Sequence, residues 1–77
     1  MASAMDRAVM RERLEQAEQQ VSDGERQVVR LRDMIAEMRR QSHDDEPALN
    51  LLHQFEQALA SRIANRDRLR KELGLSG

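Results

Sequence analysis

Five residues near the middle of the chain, His43, Asp44, Asp45, Glu46 and His53, come nearest to a metal site. Imidazole and carboxylate together suit zinc or another divalent cation. Their spacing does not support that use. A helical metal pair needs ligands three or four residues apart, as in Glu-x-x-His or His-x-x-x-His, and Asn50 stands where His53 would need its partner. The plainer reading is a polar turn that begins a helix, followed by a surface histidine. No metal or cofactor is expected.

Arg62, Arg66 and Arg70 recur every four residues, which places three guanidinium groups on one helical ridge. Such a ridge is a possible anion contact, and it supports an alternative reading of the chain as a small nucleic-acid-associated regulator. Against that, there is no Trp or Tyr and one Phe, Phe55, so stacking platforms for bases are absent. Acidic residues elsewhere in the chain are also numerous enough to neutralise the ridge from within. Nucleic acid is therefore not the expected partner. Catalytic chemistry finds no residues either. The chain has no cysteine and no Gly-rich phosphate loop, and Ser42 and His43 are neighbours in a turn rather than an oriented nucleophile and base. The sequence points to no enzyme and no small-molecule substrate.

The elements that carry these residues are helices. Met10, Leu14, Ala17, Val21, Gly24, Val28, Leu31, Ile35 and Met38 follow one another in alternating steps of four and three. That spacing is the narrow stripe of a heptad seam, which must be covered by a second helix. Helix 1 is expected over about 5–41, with Ser3 and Asp6 as a weak capping signal at its start. Residues 42–46 form the turn. Helix 2 is expected over about 47–73, with Asp45 as N-cap, Pro47 in its first turn and Gly74 as a left-handed terminator onto which Leu75 folds back. Its apolar residues Leu49, Leu52, Phe55, Leu59 and Ile63 supply the facing seam.

A connection this short makes the helices antiparallel neighbours. With the turn centred on residues 44 and 45, Asp23 meets Arg66, Glu18 meets Arg70, Arg32 meets Glu56, and Arg62 lies near Glu25 or Gln27. Opposite charges then face each other at both ends of the pair, which selects this alignment over the parallel one. In this register Met5 to Arg13 overhangs and Asn65 lies beside Gly24. Asn65 is either a polar register-setter at the seam or a solvated side chain. Gly24 is either a weak point in the helix, at a cost of about 1 kcal/mol against Ala, or a place where the missing side chain lets another backbone come close.

Composition agrees with a single all-α domain over residues 1–77. The chain is 35% charged and 1% aromatic, carries a net charge of −1, and holds no apolar run near the ~18 residues of a membrane span. It reads as a cytoplasmic protein without a membrane partner. The hairpin seam is assigned to Leu14, Val21, Gly24, Val28, Leu31 and Ile35 against Leu52, Phe55, Leu59 and Ile63. A second apolar set, Met5, Val9, Met34, Leu51 and Leu69, is left for an outside partner. An unstapled two-helix hairpin is marginal alone. The expected architecture is thus a coiled-coil-like antiparallel hairpin that dimerises into a four-helix bundle. The function this implies is that of a structural or adaptor module in protein–protein interaction.

Three stretches also carry a likeness: Gly24-Glu25-Arg26 before the Val28–Met38 helix, Ser42-His43-Asp44 before Leu51-Leu52 and Phe55-Glu56, and Arg66-Asp67-Arg68-Leu69 with Glu72-Leu73. Together they resemble a group of short uncharacterised helical-hairpin proteins of alphaproteobacteria, over roughly residues 7 to 73. Asp45 departs from the Thr more usual there. The resemblance implies a bacterial, single-domain protein and carries over no activity, cofactor or functional residue.

Overall fold

The structure is a computed structural model that describes the backbone of residues 4–74 and the side chains of residues 6–74. It is an all-α helical hairpin. Helix α1 spans Ala4–Arg40 and helix α2 spans Glu46–Glu72, and the two pack against each other along an extent of 59 × 20 × 14 Å.

The turn is built by two local devices. The first closes α1. The His43 N–H donates to the Met38 carbonyl at 2.8 Å and the Ser42 N–H to the Arg39 carbonyl at 3.1 Å, with Ser42 at φ 59°. These are the paired bonds of a Schellman ending with a left-handed residue at C′. Serine there is unexpected, because a side chain in that conformation costs ~1–2 kcal/mol. The second device opens α2. Asp45 occupies the N-cap position but its side chain makes no cap bond. Its carboxylate pairs instead with the Arg39 guanidinium, and the Asp44 carboxylate accepts the Glu46 N–H at 3.1 Å. Pro47 sits in the first turn, where its missing N–H removes no helical bond. At the far end Gly74 adopts φ 73° and donates its N–H to the Lys71 carbonyl at 3.0 Å, as a glycine terminator should. The Ser3 capping signal and the Leu75 fold-back lie outside the described residues.

Because α1 stops at Arg40 and α2 starts at Glu46, the hairpin folds about His43 rather than about residues 44 and 45. This shifts the pairing by about three residues from the expected register. Gly24 faces Leu59 and Arg62, not Asn65. The overhang shrinks accordingly. Leu73 packs with Leu14 and Ala17, Met10 lies against the same cluster, and Arg7 donates to the Leu73 carbonyl at 3.5 Å. A cation on the last carbonyls of α2 also suits the negative helix end.

Burial falls into two separate clusters. Near the turn, Val28, Leu31, Ile35 and Leu52 are buried, with Ala48, Leu49, Phe55 and Leu59 packed on them. At the open end, Leu14, Ala17, Leu69 and Leu73 are buried. Val21 and Gly24 lie between the two and are themselves buried.

Candidate interaction surface

The gap between the clusters explains how α2 really presents itself. Its seam continues from Leu52 through Phe55, Leu59, Arg62, Arg66, Leu69 and Leu73, in unbroken steps of three and four. Two arginines therefore take core positions in the middle of the hairpin. Both are half-buried. Arg62 crosses directly over Gly24. A Cβ built on that glycine would lie 3.0 Å from Leu59 Cδ1 and 3.3 Å from Arg62 Nη1. The absent side chain makes room for the arginine stem, and the guanidinium travels on to donate to the Gln20 carbonyl at 3.1 Å. What comes close to Gly24 is therefore not a second backbone but the side chains of Leu59 and Arg62. A long cationic side chain can lie along an apolar groove and keep its charged end in water, so the central layer is polar without stranding a charge.

The arginine ridge is thus turned along the hairpin rather than away from it. Arg62 does not reach Glu25 or Gln27. Arg66 does not reach Asp23; it pairs with its neighbour Asp67 at 3.0 Å. Arg70 does meet Glu18, at 3.5 Å, and Arg32 meets Glu56 at 3.2 Å. All three ridge arginines have partners within the chain, through contacts that are exposed to solvent. Asn65 is half-buried and accepts from Arg68 at 2.9 Å, away from Gly24. Among the described residues no group of three His, Cys, Asp or Glu is placed to hold a metal ion, and His43 and His53 are both exposed.

The surface left for a partner differs from the expected one at three positions. Leu69 is buried inside the hairpin and belongs to its open-end cluster. Ile63, expected at the seam, is half-buried and lines a groove on the hairpin's side with Val29 and Ala60. Both exchanges have one cause: the apolar spacing of α2 runs from Leu59 to Ile63, whereas the helix continues its inner face through Arg62 and Arg66. The Met5 side chain lies outside the described residues. Val9, Met34 and Leu51 are exposed, and so is Val29, which the sequence did not single out.

These exposed side chains lie on two flanks. On one, Met34 and Leu51 form an apolar groove with Leu31 and Phe55, and Gln27 and Arg30 stand at its rim. Met34 is 56% and Leu51 41% exposed. On the other, Val29, Ala60 and Ile63 line a groove shared with Glu25, Arg32 and Glu56. The Arg32–Glu56 ion pair belongs to that second flank. No helix among the described residues is long and apolar enough to cross a membrane. No protein-family model, curated protein or solved structure matches this chain.

Proposed function

We propose that the chain is a non-enzymatic structural or adaptor module that acts by helix packing, beginning with self-association. The observation that carries this reading is the groove of Leu31, Met34, Leu51 and Phe55, which leaves large apolar side chains in water on a hairpin with very little interior. A chain of this length has an unfavourable ratio of surface to volume, and two helices alone supply a narrow core. The core here is further divided by a polar layer at Arg62 and Arg66. Pairing with another apolar surface relieves both deficits, and binding to the folded state alone adds stability that grows with the logarithm of the partner concentration above its dissociation constant.

Sedimentation equilibrium over a concentration series, read beside helical circular dichroism, tests the proposal. Association that strengthens helicity with concentration is the expected result. A fully helical, cooperatively melting monomer throughout the micromolar range would remove the reason for a partner.

A further inference from the structure

We propose that the groove of Met34, Leu51 and Phe55 takes the same groove of a second copy, with the two turns at the same end. This rests on the self-association reading above and specifies its surface and geometry.

The choice of flank follows from what covers each one. The Val29 groove is bordered by the Arg32–Glu56 ion pair, whose side chains are 59% and 39% exposed and well hydrated. Burying it would desolvate two charges. The Met34 groove has no acidic residue in its lining and a single cation, Arg30, at its edge.

The orientation follows from how the flank changes along its length. On α1 the heptad position of Met34 is occupied at successive repeats by Gln27, Gln20 and Arg13; on α2 that of Leu51 is occupied by Ala58 and Asn65. The flank is apolar near the turn and polar at the open end, where Arg13, Gln20, Asn65 and Arg68 line a second groove. Two copies in full overlap with turns at opposite ends would set the apolar groove of each on the polar groove of the other, and sliding them until the apolar grooves meet would leave the open ends uncovered. Stacked with turns together, apolar meets apolar along both copies.

Charge agrees with this arrangement. A two-fold axis running along the hairpin places the partner copy's α2 over α1 at the heights of the chain's own α2. On the proposed flank Arg13 continues the heptad position of Met34 and Glu72 that of Leu51, and the two-fold axis sets Arg13 of each copy at the height of Glu72 of the other, so opposite charges meet at the open end. One face of the hairpin measures 59 by 20 Å. That outline exceeds the ~800 Å² per partner of a standard interface, and a mixed apolar and polar face is the ordinary composition of one.

The test combines two measurements on the full chain. Met34→Glu and Leu51→Glu should each raise the dimer dissociation constant at least ~10-fold, since each puts a carboxylate from both copies into apolar contact, while Val29→Glu should change it less than ~3-fold. Spin labels on His43→Cys and, separately, Glu12→Cys exploit the absence of native cysteine. Both label pairs should read within roughly 30 Å between copies, given helix spacings of 8–10 Å. Turns at opposite ends would put at least one pair beyond roughly 50 Å at ~1.5 Å per residue, and would overturn the orientation even if the substitutions behave. Dissociation by Val29→Glu but not by Met34→Glu or Leu51→Glu would overturn the flank. A dimer that fails either test leaves self-association standing; a chain that never associates ends both. The spin-label distances need no destabilising core substitution, so they decide the geometry whatever the Glu variants do to folding.

Discussion

Gly24 and Arg62 should be energetically coupled, and the coupling can be measured. Replacing a helix-interior glycine by alanine ordinarily gains about 1 kcal/mol. Here the new Cβ would sit 3.0 Å from Leu59 Cδ1 and 3.3 Å from Arg62 Nη1. Both are the ends of flexible side chains on half-buried residues, so neither contact is prohibitive. The guanidinium must nonetheless give by a few tenths of an ångström, which weakens its 3.1 Å bond to the Gln20 carbonyl. An intramolecular hydrogen bond contributes about 0.5–1.5 kcal/mol net, and its weakening offsets the helical gain. Gly24→Ala should therefore leave stability within ~0.5 kcal/mol of wild type. In an Arg62→Ala background the arginine is gone and Leu59 has room to shift, so the same change should recover its full gain of about 1 kcal/mol. The double-mutant cycle should show a coupling near 1 kcal/mol. Thermal melts at fixed protein concentration are sufficient, because ~1 kcal/mol moves the Tm of a chain this size by roughly 4–8 °C. Equal stabilisation by Gly24→Ala in both backgrounds would show that the glycine is an ordinary weak point, and that Arg62 does not depend on the space it leaves.

Three further substitutions probe separate parts of the hairpin. Ser42→Gly should stabilise by about 1 kcal/mol in chemical denaturation, because the left-handed φ of 59° penalises a side chain and not a glycine. Leu69→Ala should cost roughly 2–5 kcal/mol as a buried seam residue; a loss below about 0.5 kcal/mol, typical of surface positions, would return Leu69 to the outside. Arg32→Ala should cost less than about 1 kcal/mol, because its ion pair with Glu56 is solvent-exposed.

Much of the architecture was legible in the residues. Alternating apolar spacing on α1 and the lone Pro47 after a run of polar residues mark two helices and a turn, and α1 and α2 begin and end within a residue of the expected positions. The inner face of α2 was harder to read. A search for apolar residues prefers Ile63 and passes over Arg62 and Arg66, because nothing in one helix alone says that the facing residue is a glycine able to accommodate an arginine stem. That information lies on the other arm. The register erred for a related reason. It depends on where the chain turns, and the left-handed residue at the turn is Ser42, a residue type with no strong preference for that conformation. The candidate surface shifts for both reasons: Leu69 lies inside and Val29 outside, while Met34 and Leu51 stand exposed on their flank.

All of these surfaces exist only if a single chain doubles back on itself. Spin labels at Glu12 and Lys71, both exposed and at the open end, measure this directly when the doubly labelled chain is diluted into excess unlabelled protein so that intrachain pairs dominate. A hairpin predicts a separation within roughly 25 Å, two neighbouring helices 8–10 Å apart plus the label arms. A separation approaching ~90 Å, the length of the intervening residues as one continuous helix at ~1.5 Å each, would contradict the account.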